Sequence, residues 1–136
     1  MESSPELEDL TRHITEAVGE GDVAFLEQHT ARQSPLICLG TAPGDWWTDV
    51  ESLTQVVRAQ QEAGIGVSAG EPIAYQEGDV GWAVDRGLRF RVGDEDRGSL
   101  RLSVVYHRED GEWRMVHFHC SVGVSDEDVM GTELPT

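Results

Sequence analysis

YHREDGEWRMVHFHCS, residues 106–121, is two strand-like runs joined by a tight break. Asp110-Gly111 is a dipeptide that closes antiparallel hairpins, because both residues tolerate positive φ. On either side large apolar and polar residues alternate with period two, the periodicity of a strand with one covered face. The same pattern extends upstream. From Gly66 onward four strands are predicted, at about 67–77, 80–91, 98–109 and 112–123, with GDEDRG (93–98) and REDGEW (108–113) as turn-rich breaks.

Before Gly66 the period changes to that of helices. Leu7, Leu10, Ile14, Ala17 and Val18 share one helical face behind Pro5, and Gly19 and Gly21 are read as the stop. Asp22 caps a short helix through Val23, Phe25, Leu26 and His29, and Asp49 caps another carrying Leu53, Val56, Val57 and Gln60, stopped by Gly64 and Gly66. PLICLG (35–40) reads as a short strand, and GTAPGDWWTD (40–49) as a loop or a single helical turn. Helices followed by an antiparallel meander give an α+β fold, with the helices on one face of the sheet. Residues 1–124 are expected to form one domain, and residues 125–136 an acidic, mobile tail.

Composition narrows the chemistry. The net charge of −16 disfavours nucleic acid and anionic membranes as partners. All ten basic residues are Arg, which excludes a Schiff-base lysine and a P-loop lysine. Cys38 and Cys120 both lie in apolar runs and are read as buried free thiols. The acidic start, MESSPELEDL, lacks the apolar core of a signal peptide, and no apolar run is long enough to span a bilayer, so a soluble, cytoplasmic protein is expected.

Alternation also assigns faces. Leu100, Leu102, Val104 and Tyr106 are taken as inward. Trp82, Val84, Arg86, Leu88 and Phe90 are in phase with one another, which places a cation, Arg86, on an apolar face where it needs a carboxylate, carbonyls or an anionic ligand. In the last strand Val116, Phe118, Cys120 and Val122 form the inward set. Trp113, Met115, His117, His119 and Ser121 form the other, rich enough in large side chains to suggest a cover by a second copy of the chain. His117 and His119 have no third ligand at diagnostic spacing, so no metal is expected and the pair is read as part of a wall. No cofactor is expected.

YHREDGEWRMVHFHCS resembles the end of the association domain of calcium/calmodulin-dependent protein kinase II, and GTAPGDWWTDVESL (40–53) resembles bacterial SnoaL-like domains. Both belong to the nuclear transport factor 2-like superfamily. The resemblance implies a cone-shaped, cystatin-like fold in which a long helix and two shorter ones pack on a curved antiparallel sheet around a pocket. Its members include isomerases, cyclases, dehydratases, transport adaptors and oligomerising hubs, so the fold leaves function open. Arginines that some association domains place in the pocket fall, by motif, on Arg86, Val104 and Cys120, of which this chain keeps only the first.

Three functions are compatible with these readings. One is a small-molecule-binding domain whose apolar pocket carries Arg86 as anchor for a hydrophobic or carboxylate-bearing ligand, with Trp82, Tyr106, Val104, Phe118 and Cys120 as walls and Trp46 and Trp47 at the mouth. A second is an isomerase, cyclase or dehydratase using the same pocket. Its candidate catalytic groups are Asp45 and Tyr106, with Glu16, His13 and His29 as further sources of a base, since no inward strand position offers a carboxylate. The third is an oligomerisation module. In each case a homodimer or larger closed assembly is expected through the face bearing Trp113, Met115, His117 and His119.

Overall fold

The computed structural model describes residues 1–136. In chain order the elements are β1 (Glu2–Ser3), α1 (Pro5–Glu20), α2 (Val23–His29), β2 (Ile37–Leu39), β3 (Trp46–Trp47), α3 (Val50–Glu62), β4 (Ile65–Ser68), β5 (Ile73–Glu77), β6 (Val80–Val92), β7 (Glu95–Glu109), β8 (Glu112–Ser121) and α4 (Asp126–Met130).

The helices begin where side-chain caps allow. Ser4 Oγ accepts from the Leu7 amide (3.2 Å), Asp22 Oδ1 from Phe25 (3.2 Å) and Asp49 Oδ1 from Ser52 (2.7 Å), each satisfying an amide that has no partner inside its helix. α1 ends at Gly21, whose φ of 70° closes the helix in the left-handed region. Gly19 does not stop it, contrary to the expectation from sequence. It lies inside the last turn, where a Cβ would come within 2.5 Å of the Val67 carbonyl oxygen, so its role is to let α1 approach β4.

The sheet runs β1-β5-β6-β7-β8-β2-β3, with β4 also paired to β6. β2 lies parallel to β8, and every other pairing is antiparallel. β6 meets β5 along 80–84 and β4 along 89–92, so the single strand expected at 67–77 is broken, around Gly70 and Pro72, into two strands serving different halves of one edge. Trp46 and Trp47, expected in a loop or helical turn, form the short strand β3 against β2. α4 gives the C-terminal segment a short helix capped by Ser125. No helix of the chain is long and apolar enough to cross a membrane.

Two irregularities reset the faces. Between Asp85 and Leu88 the partner strand advances only from Leu102 to Leu100, so Arg86 and Gly87 together oppose Arg101. Between Met115 and His117, Val116 is the extra residue opposite Tyr106 and Val105. An inserted residue inverts the alternation on one side of it, because side-chain direction has period two. Ala83 and Asp85 therefore point inward before the first bulge, and Leu88 and Phe90 after it. Trp82, Val84 and Arg86 are exposed on the outer surface. In β8, Trp113 and Met115 are buried in the core, whereas His117 and His119 stay outside.

The core lies between the inner face of the sheet and the helices. Leu7, Ile14 and Ala17 of α1, Leu26 of α2, and Leu53 and Val57 of α3 meet Ala74, Ala83, Val104, Tyr106, Trp113 and Met115.

Candidate functional site

A cavity of about 310 Å³ opens between the helices and the curved sheet. Ile14, Thr15 and Val18 of α1 and Leu53, Val56, Val57 and Gln60 of α3 form one wall. Leu88, Phe90, Leu100, Leu102, Val104, Met115, Phe118 and Cys120 of the long strands form the other. Thr41 and Val122, both exposed, stand at the opening, and Gly40, Asp45 and Trp47 line it beside Thr41. The lining holds 18 hydrophobic residues among 24, and neither an arginine nor a histidine.

That last fact corrects the sequence reading. Arg86 does not line the cavity and is exposed on the outer side of the sheet, because the bulge at Arg86–Gly87 breaks its phase with Leu88 and Phe90. Trp82 shares its fate, 36% exposed, with its ring centroid 5.3 Å from that of Tyr75. Trp46 is 60% exposed and faces away from the opening that Trp47 lines. Tyr106 points inward but lies under α1, fully buried outside the cavity lining, with its hydroxyl 2.7 Å from Thr11 Oγ1. Burial raises its pKa well above the usual phenol value, against the smaller opposing effect of that hydrogen bond. Val104, Phe118, Cys120, Trp47 and Asp45 do line the cavity.

Asp45 is held by the β2–β3 turn. Its Oδ2 accepts from the Ala42 amide (2.9 Å), its own amide donates to Ala42 O (3.0 Å), and Gly40 N donates to Asp45 O (3.3 Å). A Cβ at Gly40 would fall 2.5 Å from Asp45 Oδ2 and 2.7 Å from Trp47 Cη2, so the turn accepts the carboxylate and the indole only with glycine there. The Trp47 and Phe118 rings are 6.1 Å apart. Glu16, His13 and His29 are not in the lining. Burial, then the Arg114 charge, lowers the His29 pKa. Burial raises the thiol of Cys120 and pushes that of Cys38 up to about 11, so neither is disposed to act as a thiolate.

His117 and His119 sit on the outer face without a cluster of three potential metal ligands around them. His117 Nδ1 lies 2.6 Å from the Ile37 carbonyl oxygen and donates to it, which ties β8 to the exposed side of β2. Trp113 and Met115, expected beside them at a subunit contact, are instead 6% and 4% exposed inside the core.

Two buried carboxylates escaped the sequence reading. Asp85, with no exposed surface, accepts from Gly70 N (2.8 Å) and Gly87 N (2.9 Å) and pins the 69–72 turn to the bulge. Glu109 accepts from three successive amides, Arg32 (2.9 Å), Gln33 (3.0 Å) and Ser34 (2.7 Å), and anchors the loop before β2 to the β7–β8 hairpin. Burial works to raise its pKa, but those donors outweigh burial and hold it down at about 2. For Asp85 the one available signal was a glycine two positions on, Gly87, a local amide acceptor pattern too common to single out.

With this geometry the known relatives can be placed. No curated protein matches the chain. Among solved structures, a nuclear transport factor 2-like protein of unknown function from Pseudomonas putida KT2440 superposes with a TM-score of 0.73 at 18% identity, covering 93% of this chain and 94% of that one. A protein of unknown function with a cystatin-like fold from Nostoc punctiforme gives 0.71 at 18% identity, over 92% and 97%. A Xanthomonas campestris protein named for the calcium/calmodulin dependent protein kinase II association domain gives 0.71 at 15% identity, over 87% and 86%. At these identities the likeness establishes the nuclear transport factor 2-like, cystatin-like fold alone. Residues 7–125 match the SnoaL-like domain, and the chain belongs to that family.

Proposed function

We propose that this SnoaL-like domain binds a small, predominantly apolar molecule in the cavity between its helices and sheet. The observation that carries the reading is the lining: predominantly apolar, free of arginine and histidine, with Asp45 as its single charged side chain. Pockets of this size with a few placed polar groups are the usual form of small-molecule sites. A carboxylate-bearing ligand is disfavoured, since no cation of the lining would compensate its desolvation. The catalytic alternative retains Asp45 as its one lining carboxylate and loses Tyr106, so binding is the better-supported function.

The test is calorimetric titration with octan-1-ol, a neutral apolar probe. Saturable 1:1 binding with a negative heat-capacity change is expected, as for burial of apolar surface. Leu102→Phe, which fills the cavity from β7, should weaken it at least tenfold while leaving the circular dichroism spectrum unchanged. Absence of saturable binding to the wild type by octan-1-ol and by its eight-carbon ammonium and carboxylate analogues would refute the reading.

A second copy of the chain is proposed as partner through the outer face of the sheet. Support comes from Ile73, Val80, Trp82 and Val84, which are 58%, 49%, 36% and 36% exposed on adjacent strands. An apolar stripe in register on two paired strands is a common form of subunit contact.

A further inference from the structure

We infer that the ligand of this cavity carries an organic ammonium group, received at the opening by Asp45 and the indole of Trp47. The inference rests on the small-molecule reading above and specifies its chemistry. Asp45 is the only charged side chain in the lining, and the cavity holds no cation to neutralise it. It is half-buried, and only Oδ2 takes part in a hydrogen bond, to the Ala42 amide, which leaves Oδ1 free to accept. Trp47 lines the same end, and both side chains crowd the space above Gly40, 2.5 Å and 2.7 Å from where its Cβ would be.

A carboxylate and an indole together in the lining of an apolar chamber suit an alkylammonium in three ways. The carboxylate accepts a charge-assisted hydrogen bond, the indole face attracts the cation, and the apolar walls take the hydrocarbon. A neutral alcohol satisfies only the last and part of the first. A carboxylate ligand would meet Asp45 as a like charge. The group is also preorganised: the Ala42 amide holds the carboxylate and two backbone hydrogen bonds close the 40–45 turn, so less ordering is left for binding to supply.

Three probes of one chain length separate the possibilities: octylammonium, octan-1-ol and octanoate, titrated by calorimetry in 0.3 M NaCl to screen the field of the acidic protein. Octylammonium should bind at least tenfold more tightly than octan-1-ol, and octanoate more weakly than either. Asp45→Asn should abolish the preference for octylammonium over octan-1-ol. Gly40→Ala, which displaces the carboxylate and indole without altering charge, should reduce the preference too. Glu62→Gln, on the exposed surface of α3, removes the same charge as Asp45→Asn and should keep it. Equal affinity of the wild type for octylammonium and octan-1-ol, or a preference that survives Asp45→Asn, overturns the ammonium assignment and leaves the apolar-pocket reading standing. If none of the three probes binds, both fall.

Discussion

Glu109 and Arg86 are the two residues whose environment most changes their meaning. A surface glutamate in a hairpin would add little, but Glu109 is 3% exposed and holds three consecutive amides of the 32–34 loop. Glu109→Gln keeps the shape but loses the charge-assisted bonds, and should destabilise the fold by about 2 kcal/mol at neutral pH in urea denaturation. The sign with pH follows from its depressed pKa. The contribution is fully present above the ordinary value of 4.5 and is lost as pH falls from there through about 2. Wild type and Glu109→Gln should therefore converge in stability on acidification through that window. Arg86 makes none of the ion pairs and is exposed, so Arg86→Met should change octan-1-ol affinity less than twofold and stability by less than about 0.5 kcal/mol. A tenfold loss of binding would contradict its place outside the cavity.

At the scale of elements, contacts between helix and sheet override local propensity. Replacing glycine by alanine inside a helix ordinarily stabilises it by about 1 kcal/mol. At Gly19 the sign should reverse, because the new Cβ would lie 2.5 Å from the Val67 carbonyl oxygen. We expect Gly19→Ala to cost about 1–3 kcal/mol, the range for overpacking, as a lowered urea midpoint. The helices were legible from sequence because Pro5, Asp22 and Asp49 at their starts act locally, Pro5 through its fixed φ and the aspartates through the amides of their own first turns. The strands were legible as strands for the same reason: alternation is a local pattern. Their faces were not, since one extra residue at Arg86–Gly87 and another at Val116 inverts the alternation, and nothing in RMVHF marks the position of the second bulge. Gly87 could have signalled the first, as glycine in a strand often does.

For the whole molecule, the predicted association is a property of the outer sheet face. Trp82, rather than Trp113 or Met115, stands exposed there between Val80 and Val84, with Ile73 opposite Val84. Light scattering at micromolar concentration should report a dimer for the wild type and a monomer for Trp82→Glu, with the circular dichroism spectrum unchanged. A wild-type monomer would dispose of the proposed contact. Sequence alone determined the order of helices and strands, the α+β class and the family resemblance, because caps, turn dipeptides and apolar periodicity act over a few neighbouring residues. Tertiary structure alone decided which side chains reach the cavity. Asp45 and Trp47 enter it and Arg86, Trp82 and Tyr106 do not, because bulges, the split edge of β6 and the approach of α1 set side-chain direction through contacts between residues far apart in the chain.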